Sequence, residues 1–115
     1  MKRFFLTSLL LAVASMLMQA SVTFPYLILG GELSNSAATS VEDIDRVMPR
    51  MKSLGLNTVL VPAYWELMEP VEGQFDFTLI DRTVQQARQQ QLRVVFLWFG
   101  AWKNSMSCYA PTWFK

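Results

Sequence analysis

The side chains able to do chemistry in this 115-residue sequence are carboxylates and aromatic rings. There is no histidine, and Cys108 is the single cysteine. That composition excludes imidazole-based zinc sites, Ser-His and Cys-His catalytic pairs and an intramolecular disulfide. No metal ion or cofactor is implied, and Cys108 reads as an unpaired loop thiol. The carboxylates of interest are Glu32, Glu66, Glu69 and Glu72, and with them stand Tyr64, Trp65, Phe75, Phe77, Trp98, Trp102, Trp113 and Phe114. Aromatic residues make up 13% of the chain, and many fall in stretches with loop composition, where burial in a core does not explain them. Ten basic residues against nine acidic ones, with no basic cluster, argue against nucleic acid as a partner.

The elements that must position these residues follow from hydrophobic patterning. Residues 24–31, FPYLILGG, form a short apolar run closed by two glycines, the signature of a strand buried on both faces. Residues 32–39 are small and polar, hence a loop. Thr39 to Asp43 carry overlapping capping-box signals, and Val41, Ile44, Val47, Met48, Met51 and Leu54 repeat at helical spacing up to Gly55. Pro49 removes one donor inside this helix and predicts a kink or split. Asn57 to Pro62 is a second buried strand, with the proline marking its end. After a long loop, Thr78 is the expected cap of a second helix with Leu79, Ile80, Val84 and Ala87 on its apolar face and Gln85 to Gln91 on its solvated side. Leu92 to Trp98 is the third strand, and Phe99 to Lys115 is again an aromatic-rich loop.

Strand, helix, strand, helix, strand at this spacing predicts parallel pairing with right-handed crossovers. A dinucleotide-binding sheet would run a glycine-rich turn straight into its first helix; Gly30-Gly31 followed by a polar loop does not. Long loops carrying polar and aromatic groups after each strand fit a barrel enzyme better. The expected fold class is therefore α/β: a partial (β/α)8 TIM barrel of about the first three strands and two helices. Closure takes about 250 residues. Residues 1–20 read as a signal peptide, with a basic start at Lys2-Arg3 and an apolar run to Met18 that is short for a bilayer span. Residues 21–115 then form the exported part, periplasmic or extracellular, with no stable membrane span after cleavage.

Within this frame, Gly30-Gly31-Glu32, Leu56-Asn57-Thr58-Val59 and above all Trp65-Glu66-Leu67-Met68-Glu69-Pro70-Val71-Glu72-Gly73-Gln74-Phe75-Asp76-Phe77 resemble the N-terminal barrel segment of glycoside hydrolase families 35 and 42. The resemblance implies a retaining β-galactosidase-type hydrolase, in which one carboxylic acid protonates the glycosidic oxygen and a carboxylate about 5 Å away attacks the anomeric carbon. Both are glutamates that such families place after the fourth and seventh strands. No catalytic residue is therefore expected in this chain, which would be an N-terminal fragment inactive alone. Two departures stand out. The family 35 tyrosine that contacts galactose falls on Pro62, and a sugar-binding glutamate falls on Met106.

The loops that remain suit a carbohydrate substrate, since pyranoses present an apolar face for Trp or Tyr and hydroxyls for Glu or Asn. Glu32, Tyr64, Trp65, Glu66, Trp98, Trp102 and Asn104 are the candidate substrate-binding residues. Trp98 suits a barrel core equally well. Trp113 and Phe114 are expected to pack, Glu69 to fix its loop, and Glu72 to sit exposed in a turn. The alternative reading is a secreted non-catalytic carbohydrate-binding protein.

Overall fold

The computed structural model describes residues 27–103 and 107–115. The expected signal peptide and candidate Asn104 lie outside the described residues. Three strands, β1 (Gly30–Glu32), β2 (Thr58–Tyr64) and β3 (Arg93–Phe99), alternate with helices α1 (Val41–Ser53), α2 (Trp65–Met68) and α3 (Thr78–Gln90). Both strand pairs are parallel, in the order β1-β2-β3. Gly30 lies opposite Thr58, and Thr58 to Tyr64 lie opposite Arg93 to Phe99. This is the parallel, helix-connected α/β arrangement expected of the start of a barrel.

Only the central strand is buried on both faces. Every residue of β2 is buried except the half-buried Leu60. The first strand was expected to be buried on both faces too, but Leu27, Ile28 and Leu29 are exposed; so are Val95, Phe96 and Trp98 of β3. An outer strand has a hydrogen-bonding neighbour on one side alone, and here nothing among the described residues covers the second face. β1 is also shorter than the apolar run suggested. The stretch before it is tied to the sheet by the Asn57 side chain as well as by backbone bonds to the Leu29 carbonyl: Leu29 N–H donates to Asn57 Oδ1 at 3.0 Å, and Asn57 Nδ2 donates to the Leu27 carbonyl at 2.7 Å.

β2 runs through Pro62 rather than ending there. The Thr58 N–H bonds the Leu29 carbonyl and the Leu60 carbonyl accepts from Leu33 N, so even-numbered residues of β2 turn their polar groups toward β1. β1 ends at Glu32, opposite Leu60. The missing N–H of Pro62 thus falls where that ladder has already stopped, and the proline costs no sheet bond.

α1 begins where expected: Ser40 is the N-cap and its hydroxyl accepts from Asp43 N–H at 3.1 Å. It continues unbroken through Pro49, which lies on the exposed face. α3 starts one residue earlier than anticipated. Thr78 is its first helical residue, and Asp76 Oδ1 accepts the Thr78 N–H at 2.8 Å in place of a Thr78 cap. Nor is the glutamine tract wholly solvated. Gln86 is buried with Thr83 and Ala87, and its amide donates to Asp45 of α1 at 2.7 Å. Arg82 reaches the same carboxylate through two bonds of 2.6 and 2.7 Å, so a polar clamp joins the two helices. The core lies beneath it, built from Leu33, Ile44, Met48, Val59, Val61, Tyr64, Ala87, Leu92 and Phe99.

Candidate functional site

The C-terminal ends of β2 and β3 carry the aromatic residues singled out from the sequence, and the structure brings several of them together. Trp65 is the first residue of α2, a single helical turn that the sequence pattern did not reveal. Trp98 is the penultimate residue of β3, opposite Ala63. Their ring centroids are 6.4 Å apart, with the planes tilted by 38°. Trp113 meets Trp65 edge-on at 5.8 Å, and Phe114 approaches it to 4.7 Å. Trp65 is half-buried beneath these neighbours, while Trp98 keeps 57% of its surface and Phe114 54%. The result is an open aromatic surface formed from two strand ends and the C-terminal segment.

Hydrogen bonds hold that surface in place. Trp65 Nε1 donates to Glu69 Oε2 at 2.8 Å, and Gly73 N–H donates to Glu69 Oε1 at 2.9 Å. Trp113 Nε1 donates to the Glu69 carbonyl at 2.8 Å. The segment after β3 returns across the end of β2, where Glu66 N–H bonds the Tyr109 carbonyl at 2.8 Å and Tyr109 N–H bonds the Gly100 carbonyl at 3.0 Å. At Gly100 a Cβ would lie 2.7 Å from Trp98 Nε1, so glycine lets that indole fold back over the chain. Glu69 therefore has the loop-fixing role expected of it, and Glu72 is exposed.

The other candidates occupy different places. Glu66 follows Trp65 on α2 and is half-buried; Glu32 is exposed at the end of β1; Trp102 is exposed on the segment after β3. Tyr64 departs from its expected position at the site. It is 3% exposed, its hydroxyl donates to the Asn35 carbonyl at 2.9 Å, and its ring stands edge-on to Phe99 at 5.4 Å. Tyr64 is the last residue of β2, and its ring turns into the core against Phe99 and Tyr109, whereas Trp65 opens the next helix and turns away from it. Burial pushes the Tyr64 phenol up to about 12. Trp113 and Phe114 were expected only to pack; they do pack, and what they pack against is Trp65. The Trp-Phe pair closely following Pro111 was the available signal, but its partner lies across the fold.

A surface groove of about 890 Å3 lies elsewhere, lined by Val41, Thr78, Arg82, Val84 and Arg88. Its lining comes from α1 and α3 and includes none of the aromatic residues at the strand ends. Among the described residues, no group of three or more His, Cys, Asp or Glu is arranged to hold a metal ion. No helix among them is long and apolar enough to cross a membrane.

Parallel strands with helical crossovers, and with aromatic and acidic groups gathered on the segments that follow the strands, are the arrangement of a portion of a βα-barrel. The glycoside hydrolase 42 family model, described as a beta-galactosidase, matches residues 35–114, and the chain belongs to that family. A beta-galactosidase of Xanthomonas manihotis is 35% identical over 74 residues, covering 62% of this chain and 12% of that protein. Among solved structures, the exo-beta-1,4-mannosidase Op5Man5 from Opitutaceae bacterium strain TAV5 superposes with a TM-score of 0.55 and 25% identity over 73% of this chain and 16% of its own. The chain thus spans less than a fifth of either relative.

Proposed function

We propose that this chain supplies part of the sugar-binding rim of a retaining glycoside hydrolase acting on β-galactosides or related glycans, and that it is exported to the periplasm or beyond. The observation that carries this reading is the open aromatic surface at the strand ends, where Trp65 and Trp98 lie side by side. A pyranose buries its C–H face on an indole while its hydroxyls remain free for polar partners. Trp65 and Trp98 would take the ring face, and Glu66 and Glu32 would accept hydroxyls, with Trp102 further along the rim; Asn104, outside the described residues, is proposed as a further hydroxyl partner from its residue type. The mannosidase neighbour and the galactosidase relative make β-galactosides and β-mannosides the two sugar classes to compare.

The acid and nucleophile of a retaining enzyme are two carboxyl groups about 5 Å apart. Neither role is assigned to this chain. Glu69 is engaged by indole and backbone donors, and Glu72 stands exposed in a turn. The test is a titration of the 115-residue protein with a β-1,4-linked galactose disaccharide and with its mannose counterpart, followed by tryptophan fluorescence. One of the two sugars is expected to shift the emission, and Trp65→Ala or Trp98→Ala to weaken that response by about tenfold or more. Absence of any response with both sugars would overturn the binding assignment. Hydrolysis of a chromogenic β-galactoside by the 115-residue protein would overturn the placement of catalysis outside it.

A further inference from the structure

Glu69 stands apart from the other carboxylates in how many parts of the fold it joins. Its two carboxylate oxygens are divided between the indole of Trp65, four residues before it, and the backbone of Gly73, four residues after it. Its main chain is equally engaged: the N–H donates to the Trp65 carbonyl at 2.9 Å, and the carbonyl accepts the Trp113 indole at 2.8 Å. One residue thus fixes the direction of two of the indoles in the aromatic surface and the turn at Gly73, whose φ of +73° suits glycine.

We propose that Glu69 is the positioning residue of this rim: its carboxylate sets the plane of the Trp65 indole, and its carbonyl that of Trp113, so that sugar affinity depends on a residue that does not touch the sugar. This rests on the sugar-binding reading above. An indole hinged only at its χ angles can present its edge or its face, and only the face is useful to a pyranose. A hydrogen bond from Nε1 to a carboxylate removes that freedom, and its ionic character makes it stronger than a neutral bond. The turn requires an acceptor on each side of a planar group. A glutamine amide offers one acceptor and one NH2, so at this position its NH2 faces either the Trp65 N–H or the Gly73 N–H, donor against donor. Replacing Glu by Gln therefore breaks one of the two bonds and removes the charge that strengthens the other, while keeping size and shape.

The experiment compares the wild-type chain with Glu69→Gln, Glu69→Ala and the control Glu72→Gln, which makes the same charge change in an exposed turn. Each is read by the indole N–H resonances in a 15N–1H spectrum, by near-ultraviolet circular dichroism, and by titration with whichever β-linked disaccharide the wild-type chain binds, all well below the unfolding temperature. The Trp65 indole resonance is expected to move in both Glu69 variants, the near-ultraviolet signal of the tryptophan cluster to fall, and sugar affinity to drop about tenfold, with helix content unchanged. The Glu72 variant is expected to match wild type in every readout. The Trp113 resonance, bonded to a main-chain carbonyl, should survive in Glu69→Gln. A wild-type affinity retained by Glu69→Gln, or an unmoved Trp65 resonance, would overturn the positioning role. Failure of the wild-type chain to bind either sugar would instead overturn the sugar-binding reading on which it rests.

Discussion

Substituting Tyr64 by phenylalanine separates a core role from a site role at the one candidate that the fold moved away from the rim. The change removes a single oxygen and leaves the ring, so the packing on Phe99 at 5.4 Å and Tyr109 at 5.5 Å is kept. What is lost is the bond to the Asn35 carbonyl at 2.9 Å. An intramolecular hydrogen bond of this kind contributes about 1 kcal/mol net. The full penalty for a buried orphaned carbonyl is not applied, because Asn35 is only half-buried. In a domain of this size about 1 kcal/mol lowers the melting temperature by about 4–8 °C. The hydroxyl also gives stability an alkaline limit. Burial raises the folded-state pKa from 10.0 to about 12. Since the neutral phenol is the form the fold favours, this contribution is complete below pH 10.0 and is lost as pH rises toward about 12. Tyr64→Phe should therefore melt lower at pH 7, lose less stability than wild type above pH 10, and bind sugar as wild type does. Thermal melts across pH and one sugar titration check all three. An unchanged melting temperature combined with a fivefold or greater loss of affinity would refute the reasoning and return Tyr64 to the rim.

Two further outcomes follow from the helix layer. The Asp45 carboxylate is held below its ordinary 3.8 chiefly by the hydrogen bonds from Arg82, with Gln86 adding to the effect against opposing desolvation. A depressed folded-state pKa gives stability that is present above the ordinary value and lost as pH falls through the lowered one; urea midpoints measured from pH 7 down to pH 2 should fall less steeply below pH 4 for Asp45→Asn than for wild type. Gln91 closes α3 in the left-handed region at φ 54°; Gln91→Gly should raise stability by up to about 1 kcal/mol, read as a higher urea midpoint at unchanged slope.

Element order and parallel pairing were legible because each strand is a short apolar run and each helix has a face at its own period. Boundaries were less so. The Pro62 expectation failed because a proline's cost in a sheet depends on whether a partner strand is present at that level, and β1 stops short of it. Pro49 did not divide α1: the helix runs on through it at the loss of one backbone bond, with the ring on the exposed face. Gln86 was read as solvated from the polarity of its neighbours. Its burial is set by Asp45, 41 residues earlier, a partner that no local window contains.

The site divides along the same line between local and distant information. Trp65 and Trp98 could be placed at strand ends because each sits at the end of an apolar run, although Trp98 suited a barrel core equally well, and parallel register brings those strand ends together. Trp113 and Phe114 have no such anchor. Their place on Trp65 is fixed by a return of the chain that hinges on two backbone bonds, Glu66 to Tyr109 and Tyr109 to Gly100, and on the indole bond to the Glu69 carbonyl. Backbone bonds leave no mark on residue type, so nothing in the sequence announced that closure. Glu69 is the intermediate case. Its motif marked it as a carboxylate that fixes a loop, yet only the structure shows that the loop it fixes is the one that aims two indoles. On the proposed reading, sugar affinity at this rim would depend on groups one layer behind those that meet the sugar. If that surface does meet a sugar, its aromatic face would accept any pyranose with an apolar side, and the choice among sugars would fall to the polar groups around it.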